Sequence, residues 1–228
     1  MYKIEKYVEK LINGEPTGFL NPVDVMNIKG KLNKNQYKIY SPTKDSEKVI
    51  FYNKKEPDIS LYEIETNNKL RHQEILGALF NLKIDESMFG DIIINDDHYY
   101  VFINNLIEDY FISNFNKIGN NNIILKKLDI DYLKDYERSY EKIELIVTSL
   151  RIDTVISRII HTNRDSIKDK IKDREIYLNH ELLKRTDYKL KEGDIFSIRK
   201  YGKFKYIEIV NNTKKDNFVI LVHKYIDS

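Results

Sequence analysis

Residues 149–209 read SLRIDTVISRIIHTNRDSIKDKIKDREIYLNHELLKRTDYKLKEGDIFSIRKYGKFKYIEI. Ile152, Val155, Ile156, Ile159 and Ile160 recur at the i, i+3, i+4, i+7, i+8 spacing that gathers apolar side chains on one helical face. Asn163 then fits the N-cap of a second helix with Ile167 and Ile171 turned inward. The same helix carries Arg164, Lys168 and Lys172 at i, i+4, i+8, and the first helix adds Arg151 and Arg158, seven apart. Two short helices with aligned cations present a positive surface of the size that a nucleic-acid backbone needs.

After the helices the sequence predicts a strand over 175–178, a turn at Asn179-His180 and a second strand leading to Tyr188. A further turn at Glu192-Gly193-Asp194 feeds the alternation of Ile195, Phe196 and Ile198. The run L-R-I-D, N-R-x-x-I-x-x-x-I, I-x-L-N and Y-K-L-K-E-G-D-I-F-S-I-R closely resembles the small RNA-binding domain first described in ribosomal protein S-four. That resemblance implies RNA contact through the arginine of R-I-D and the basic residues of the second helix, here Arg151, Arg164 and Lys168. Two glycines usual in the family are absent: Asp173-Arg174 stand at the end of the second helix and His180 after the turn. Asn179 tolerates a left-handed turn, so the hairpin is expected to survive.

Outward from this stretch, charge is unevenly distributed. Residues 149–228 hold 18 Lys and Arg against 12 Asp and Glu, whereas residues 1–148 hold 20 against 24. The positive field therefore lies at the carboxyl end. With no cysteine among 228 residues, disulfides, thiolate catalysis and cysteine-ligated metals are excluded, in keeping with a cytoplasmic location. No apolar run reaches the roughly 18 residues of a membrane span, and the charged start MYKIEKYVEKLI is not a secretory signal.

At the amino end, Ile4, Tyr7, Val8, Leu11 and Ile12 share a helical face that Gly14-Glu15-Pro16 terminates. A second short helix follows Phe19-Leu20-Asn21-Pro22, with Val23, Val25, Met26 and Ile28 available for burial, and QYKIYSPTKDSEKVIFYN reads as two strands about a turn. From about residue 59 come strand ISLYEIE, helix RHQEILGALFNL, strands DIIIND and HYYVFIN, helix NLIEDYFISNFNKIG and strand NIILKKL. Inward positions are Ile75, Leu76, Leu79 and Phe80 in the first of these helices and Leu106, Ile107, Tyr110, Phe111 and Phe115 in the second. The order βαββαβ is the split βαβ plait of ferredoxin-like and RNA-recognition folds. Alternation sends Tyr100 and Phe102 to one sheet face and Tyr99 and Val101 to the other, so one set is core, and packing is preferred to base stacking. The acidic, Tyr-rich run 128–148 reads as the connection between domains.

The string LRHQEILGALFNLKIDESMFGDIII resembles the L-x-H-R-D-x-L-G-x-L block of the bacterial YlmH family. Phe19-Leu20-Asn21-Pro22 resembles that family's F-L-[DN]-P, and Arg199-Lys200-Tyr201-Gly202-Lys203-Phe204 its R-G-x-G-R-F. His72-Gln73-Glu74 stands where the family has H-R-D. The resemblance spans nearly the whole chain in the right order. It implies association with the ribosome, with rRNA and tRNA of the large subunit as partners, in quality control of stalled translation.

Catalytic chemistry finds little purchase in this sequence. The five histidines, His72, His98, His161, His180 and His223, have no zinc-helix spacing, no glycine-rich phosphate loop is present, and Gly77 stands alone in a helix. Asp96-Asp97 reads as a solvated turn. Neither a metal nor a cofactor is expected. The segment RKYGKFK puts four cations, Arg199, Lys200, Lys203 and Lys205, beside two aromatics, and extends the RNA-binding surface.

The sequence thus predicts an α+β protein: an N-terminal module of helices and a hairpin (1–57), an RRM-like plait with linker (58–148) and an S-four type RNA-binding domain (149–228). Its expected role is non-catalytic binding of structured RNA at Arg151, Arg158, Arg164, Lys168, Lys172 and the four hairpin cations, with no membrane association and a protein partner for residues 1–148. The alternatives are a cell-division adaptor and an rRNA-modifying enzyme.

Overall fold

The computed structural model describes residues 2–213 and 216–226. The chain divides into two compact units, one ending at Glu137 and the other beginning at Arg138.

In the first unit, α1 (Tyr2–Ile12) buries Ile4, Tyr7 and Leu11, while Ile12 faces solvent. Strand β1 (Phe19–Leu20) leads into α2 (Pro22–Lys29), whose cap is Asn21: its Oδ1 accepts from the Asp24 N–H at 2.9 Å, and Pro22 fills the first turn. Of the four apolar residues expected to bury from α2, only Ile28 is fully enclosed and Met26 is exposed. Strands β2 (Lys38–Tyr40) and β3 (Val49–Tyr52) complete a three-stranded sheet in the order β1-β3-β2.

The plait follows with β4 (Ile59–Glu65), α3 (His72–Asn81), β5 (Phe89–Asn95), β6 (His98–Asn104), α4 (Glu108–Asn114), a small hairpin of β7 (Lys117–Ile118) and β8 (Asn121–Asn122), and β9 (Ile124–Leu128). Its sheet runs β5-β6-β4-β9 with every neighbour antiparallel, so each βαβ crossover is split by an intervening strand. Tyr62, Ile64, Tyr99, Val101 and Ile103 pack on one face beneath Ile75, Leu79, Phe111 and Phe115. On the other face Leu61, Ile93, Tyr100 and Phe102 meet Phe19, Ile50 and Leu133. Both faces are therefore core, and neither alternating set of aromatics is left open. Each enclosed aliphatic or aromatic side chain contributes about 1.5–3 kcal/mol relative to exposure.

The sharing of one cluster by Phe19, Ile50 and the plait strands removes the expected division at 57/58. Two helical faces also differ from expectation. α4 begins only at Glu108, so Leu106 lies in a preceding 3-10 turn, exposed to 77%, and Tyr110 and Phe80 are about half exposed.

The second unit opens with β10 (Tyr140–Val147), then α5 (Ile152–Ile159), α6 (Arg164–Lys172), β11 (Ile176–Leu178), β12 (Glu181–Leu182), β13 (Ile195–Ile198), β14 (Gly202–Asn212) and β15 (Phe218–Tyr225). They form a six-stranded sheet ordered β10-β15-β14-β13-β11-β12. The boundary expected at 148/149 is thus corrected: β10 pairs with β15 over eight consecutive positions, from Tyr140 opposite Tyr225 to Val147 opposite Phe218. The strand expected to reach Tyr188 shrinks to Glu181–Leu182. Instead the Tyr188 carbonyl accepts from the Ile152 N–H at 2.8 Å, and Arg151 bridges Lys189. The helix pair lies on one side of the sheet, where Ile152, Val155, Ile156 and Ile167 meet Phe204, Tyr206, Ile220 and Val222.

Candidate nucleic-acid interface

The two helices of the second unit are set by local chemistry. The Asn163 side chain accepts from the Ser166 N–H at 2.8 Å and so caps α6. α6 ends in left-handed Arg174 (φ 58°), where the Glu175 N–H reaches the Lys170 carbonyl at 2.9 Å and the Arg174 N–H reaches that of Ile171 at 3.1 Å. Asn179 and His180 both take positive φ, 48° and 69°. The Asn179 amide accepts from the Ile195 N–H at 2.9 Å and donates to Asp194 at 2.9 Å, which fastens this turn to the one at Gly193.

Where α5 turns into α6 a cavity of about 450 Å³ opens, lined by Thr148, Thr154, Ser157, Arg158, His161, Thr162, Asn163 and Arg164. Two guanidinium groups and four hydroxyls therefore face one volume. Arg164 Nη2 donates to Thr154 Oγ1, and Arg158 is exposed with no ion pair among the described residues. The buried Asp153 orients the remaining arginine, accepting from Arg151 Nε at 3.1 Å and Nη2 at 2.7 Å. Burial pushes the Asp153 carboxyl upward, yet the hydrogen bonds and charge of Arg151 outweigh it and hold the group below the usual carboxylate range. Such a pocket can accept an anion of phosphate size, with charge from the guanidiniums and directionality from the hydroxyls.

The other expected cations fall into three groups. Lys168 and Lys172 are exposed on α6 but pair with Asp165 at 2.8 Å and Asp169 at 3.5 Å, contacts of small net value that a phosphate can displace. Arg199 and Lys200 form the exposed turn between β13 and β14, against the end of α6, where the Arg199 N–H donates to the Glu175 carbonyl at 2.9 Å. Lys203 and Lys205 alternate with the core residues Phe204 and Tyr206, so they project from the sheet face opposite the helices. The nine cations accordingly occupy more than one surface. Sequence reasoning missed the hydroxyl lining; its signal was Thr148, Thr154, Ser157 and Thr162 standing among the arginines. Among the described residues, no three His, Asp or Glu side chains gather as metal ligands, and no helix is long and apolar enough to cross a membrane.

Residues 53–132, the plait, match the family described as "Putative RNA-binding domain in YlmH". Over 147 residues, 64% of the chain, the sequence is 26% identical to "Ribosome-associated protein quality control protein P2" of Bacillus subtilis. These matches bear out the resemblance to the YlmH family. The aligned region amounts to 57% of that relative's own length. A solved structure titled "Cell division protein ylmH from Streptococcus pneumoniae" is 25% identical, covers 59% of this chain and 92% of its own, and superposes with a TM-score of 0.47.

Proposed function

We propose, from its kinship with the YlmH family, that this protein is a non-catalytic RNA-binding protein that works on the ribosome in quality control of stalled translation. The observation that carries the RNA reading is the α5–α6 cavity, where Arg158 and Arg164 share one volume with Thr154, Ser157 and Thr162. A backbone phosphate seated there would be held by charge-assisted hydrogen bonds, while Arg151, Lys168 and the Arg199-Lys200 turn neutralise neighbouring phosphates. Such contacts read the shape and backbone of folded RNA, as A-form helices require. The relative's name and the family description of residues 53–132 support the ribosomal setting. Within it, rRNA and tRNA of the large subunit are the proposed partners, and the cytoplasm the proposed location. A division adaptor would need a protein-binding surface, and an rRNA-modifying enzyme a reactive constellation; the cavity lined by Arg158, Arg164 and hydroxyl-bearing side chains favours RNA binding over both.

The test is sedimentation of the full chain with purified ribosomal subunits across a salt series, beside an Arg158→Glu, Arg164→Gln variant. The melting of the variant by circular dichroism, measured beside wild type, checks that the fold is kept. Wild type should travel with the large subunit and dissociate steeply as salt rises, and the variant should bind at least tenfold more weakly. Equal binding by a natively folded variant would remove the cavity from the interface.

A further inference from the structure

Two turns of the second unit meet at the carboxyl end of α6, and each holds a basic residue in the left-handed region that favours glycine: Arg174 at φ 58° and Lys200 at φ 70°. The turns are tied together, since the Arg199 N–H donates to the Glu175 carbonyl at 2.9 Å. The second turn is closed by the Tyr201 N–H, which reaches the Ile198 carbonyl at 3.0 Å. Tyr201 projects from this corner with 43% of its surface open. Lys170 Nζ lies over its ring, 5.5 Å from the centroid, and is itself held by Glu175 at 2.8 Å in a partly buried ion pair.

A lone exposed tyrosine is ordinary on a protein surface, but this one differs from its counterparts. Of Tyr110, Tyr132, Tyr177 and Tyr201, the exposed tyrosines among the described residues, only Tyr201 has an ammonium over its ring. That contact steadies one face of a ring that would otherwise turn freely, and the open area leaves the other for a planar partner. Arg174, Arg199 and Lys200 are exposed beside it, and none has an ion pair among the described residues. Opposing them are Asp173 and Glu175, the latter already joined to Lys170. Left-handed turns at basic residues carry a backbone cost that glycine would avoid, and the result is a fixed aromatic ring among three unpaired cations.

We infer that Tyr201 is a stacking platform for one unpaired base of RNA, with Arg174, Arg199 and Lys200 taking the phosphates on either side of that nucleotide. Every base offers a π-face to such a ring, and a base in RNA is free to do so only where it is splayed out of the helix. The corner therefore selects folded RNA interrupted by a bulge or loop over an unbroken helix, a distinction that phosphate contacts alone do not make. The inference rests on the RNA-binding reading of the protein and adds to it the class of RNA that is preferred.

The experiment compares two labelled RNA hairpins, identical except for a single bulged nucleotide, by fluorescence anisotropy with the full chain. Wild type should bind the bulged hairpin between about 5-fold and about 150-fold more tightly, the effect of one stacked base. Tyr201→Phe should keep that preference and Tyr201→Ala erase it, both with an unchanged salt slope, because stacking releases no counterions. Arg199→Gln with Lys200→Gln should instead lower the slope by about 1 to 2. A 2-aminopurine placed in the bulge should dim on binding wild type and not on binding Tyr201→Ala, and circular dichroism melting beside wild type checks that each variant is folded. Equal binding of the two hairpins by wild type, or a preference that survives Tyr201→Ala, would overturn the platform and leave the RNA-binding reading standing. Failure to bind either hairpin at low salt would overturn both.

Discussion

Glu108 shows how one side chain ties the plait together. Its carboxylate accepts from Lys127 Nζ of β9 at 2.6 Å and from the Tyr62 hydroxyl of β4 at 2.7 Å. The hydrogen bond from Lys127, with those from Ser60 and Tyr62, pushes its pKa down to about 2, against about 4.3 for a free glutamate. A carboxyl depressed in the native state binds its proton more readily when unfolded. The stability it contributes is thus complete above about pH 5 and is lost as pH falls through 4 towards 2. With Lys127 more than half exposed, solvent screening reduces the contribution to about 1–2 kcal/mol. Glu108→Gln should lose that amount at pH 7 and show a flatter acid limb in urea denaturation midpoints measured from pH 7 to 2.5. Parallel limbs for variant and wild type would refute the linkage. At this same scale the sequence was legible where a side chain caps or turns the chain, as at Asn21, Asn163 and Asn179. It was not legible at Arg174, which occupies a left-handed position without a glycine because helix-end hydrogen bonds and the following strand impose it.

Among the elements, β10 differs most from what its composition suggested. Its acidic, tyrosine-rich sequence looks like a linker, because an edge strand keeps one face wet and carries charges there. The period-two signal was present nonetheless in Ile143, Leu145 and Val147, all of which pack into the core of the second unit. The α5–α6 pair was legible throughout, since its buried isoleucines repeat at helical spacing and a cap marks the second start. α4 was read too long, its pattern joined to a 3-10 turn whose Leu106 is exposed. A fragment of residues 138–228 should melt cooperatively by circular dichroism, whereas 149–228, stripped of β10, should lose β15's pairing along eight positions and with it the buried face of Val147. Cooperative melting of the shorter fragment at the same temperature would show that β10 is dispensable.

For the molecule as a whole, the question that the proposed function raises is which unit would hold RNA. The family description attaches RNA binding to residues 53–132, but there Tyr99, Tyr100 and Phe102 are all enclosed, so bases have no central aromatic platform on that sheet. Positive charge is concentrated beyond residue 137, since extending the carboxyl segment to Arg138 adds Arg138 and Lys142 against Glu141 and Glu144 and leaves its excess unchanged. Counterion release converts that asymmetry into a measurable slope, about 0.7–0.9 per phosphate neutralised. In the full chain, Arg158→Gln, Arg199→Gln, Lys200→Gln and Lys205→Gln together should therefore flatten the plot of log affinity against log salt by up to about 3. An equal number of neutralisations at exposed Lys6, Lys34, Lys54 and Lys117 should leave it unchanged, although two of those residues lie within the family-matched segment. Fluorescence anisotropy with a labelled RNA hairpin at four salt concentrations reads both slopes. If the second set flattens the plot as much as the first, the plait grips RNA through its helices or loops and the carboxyl unit is not the principal binding surface.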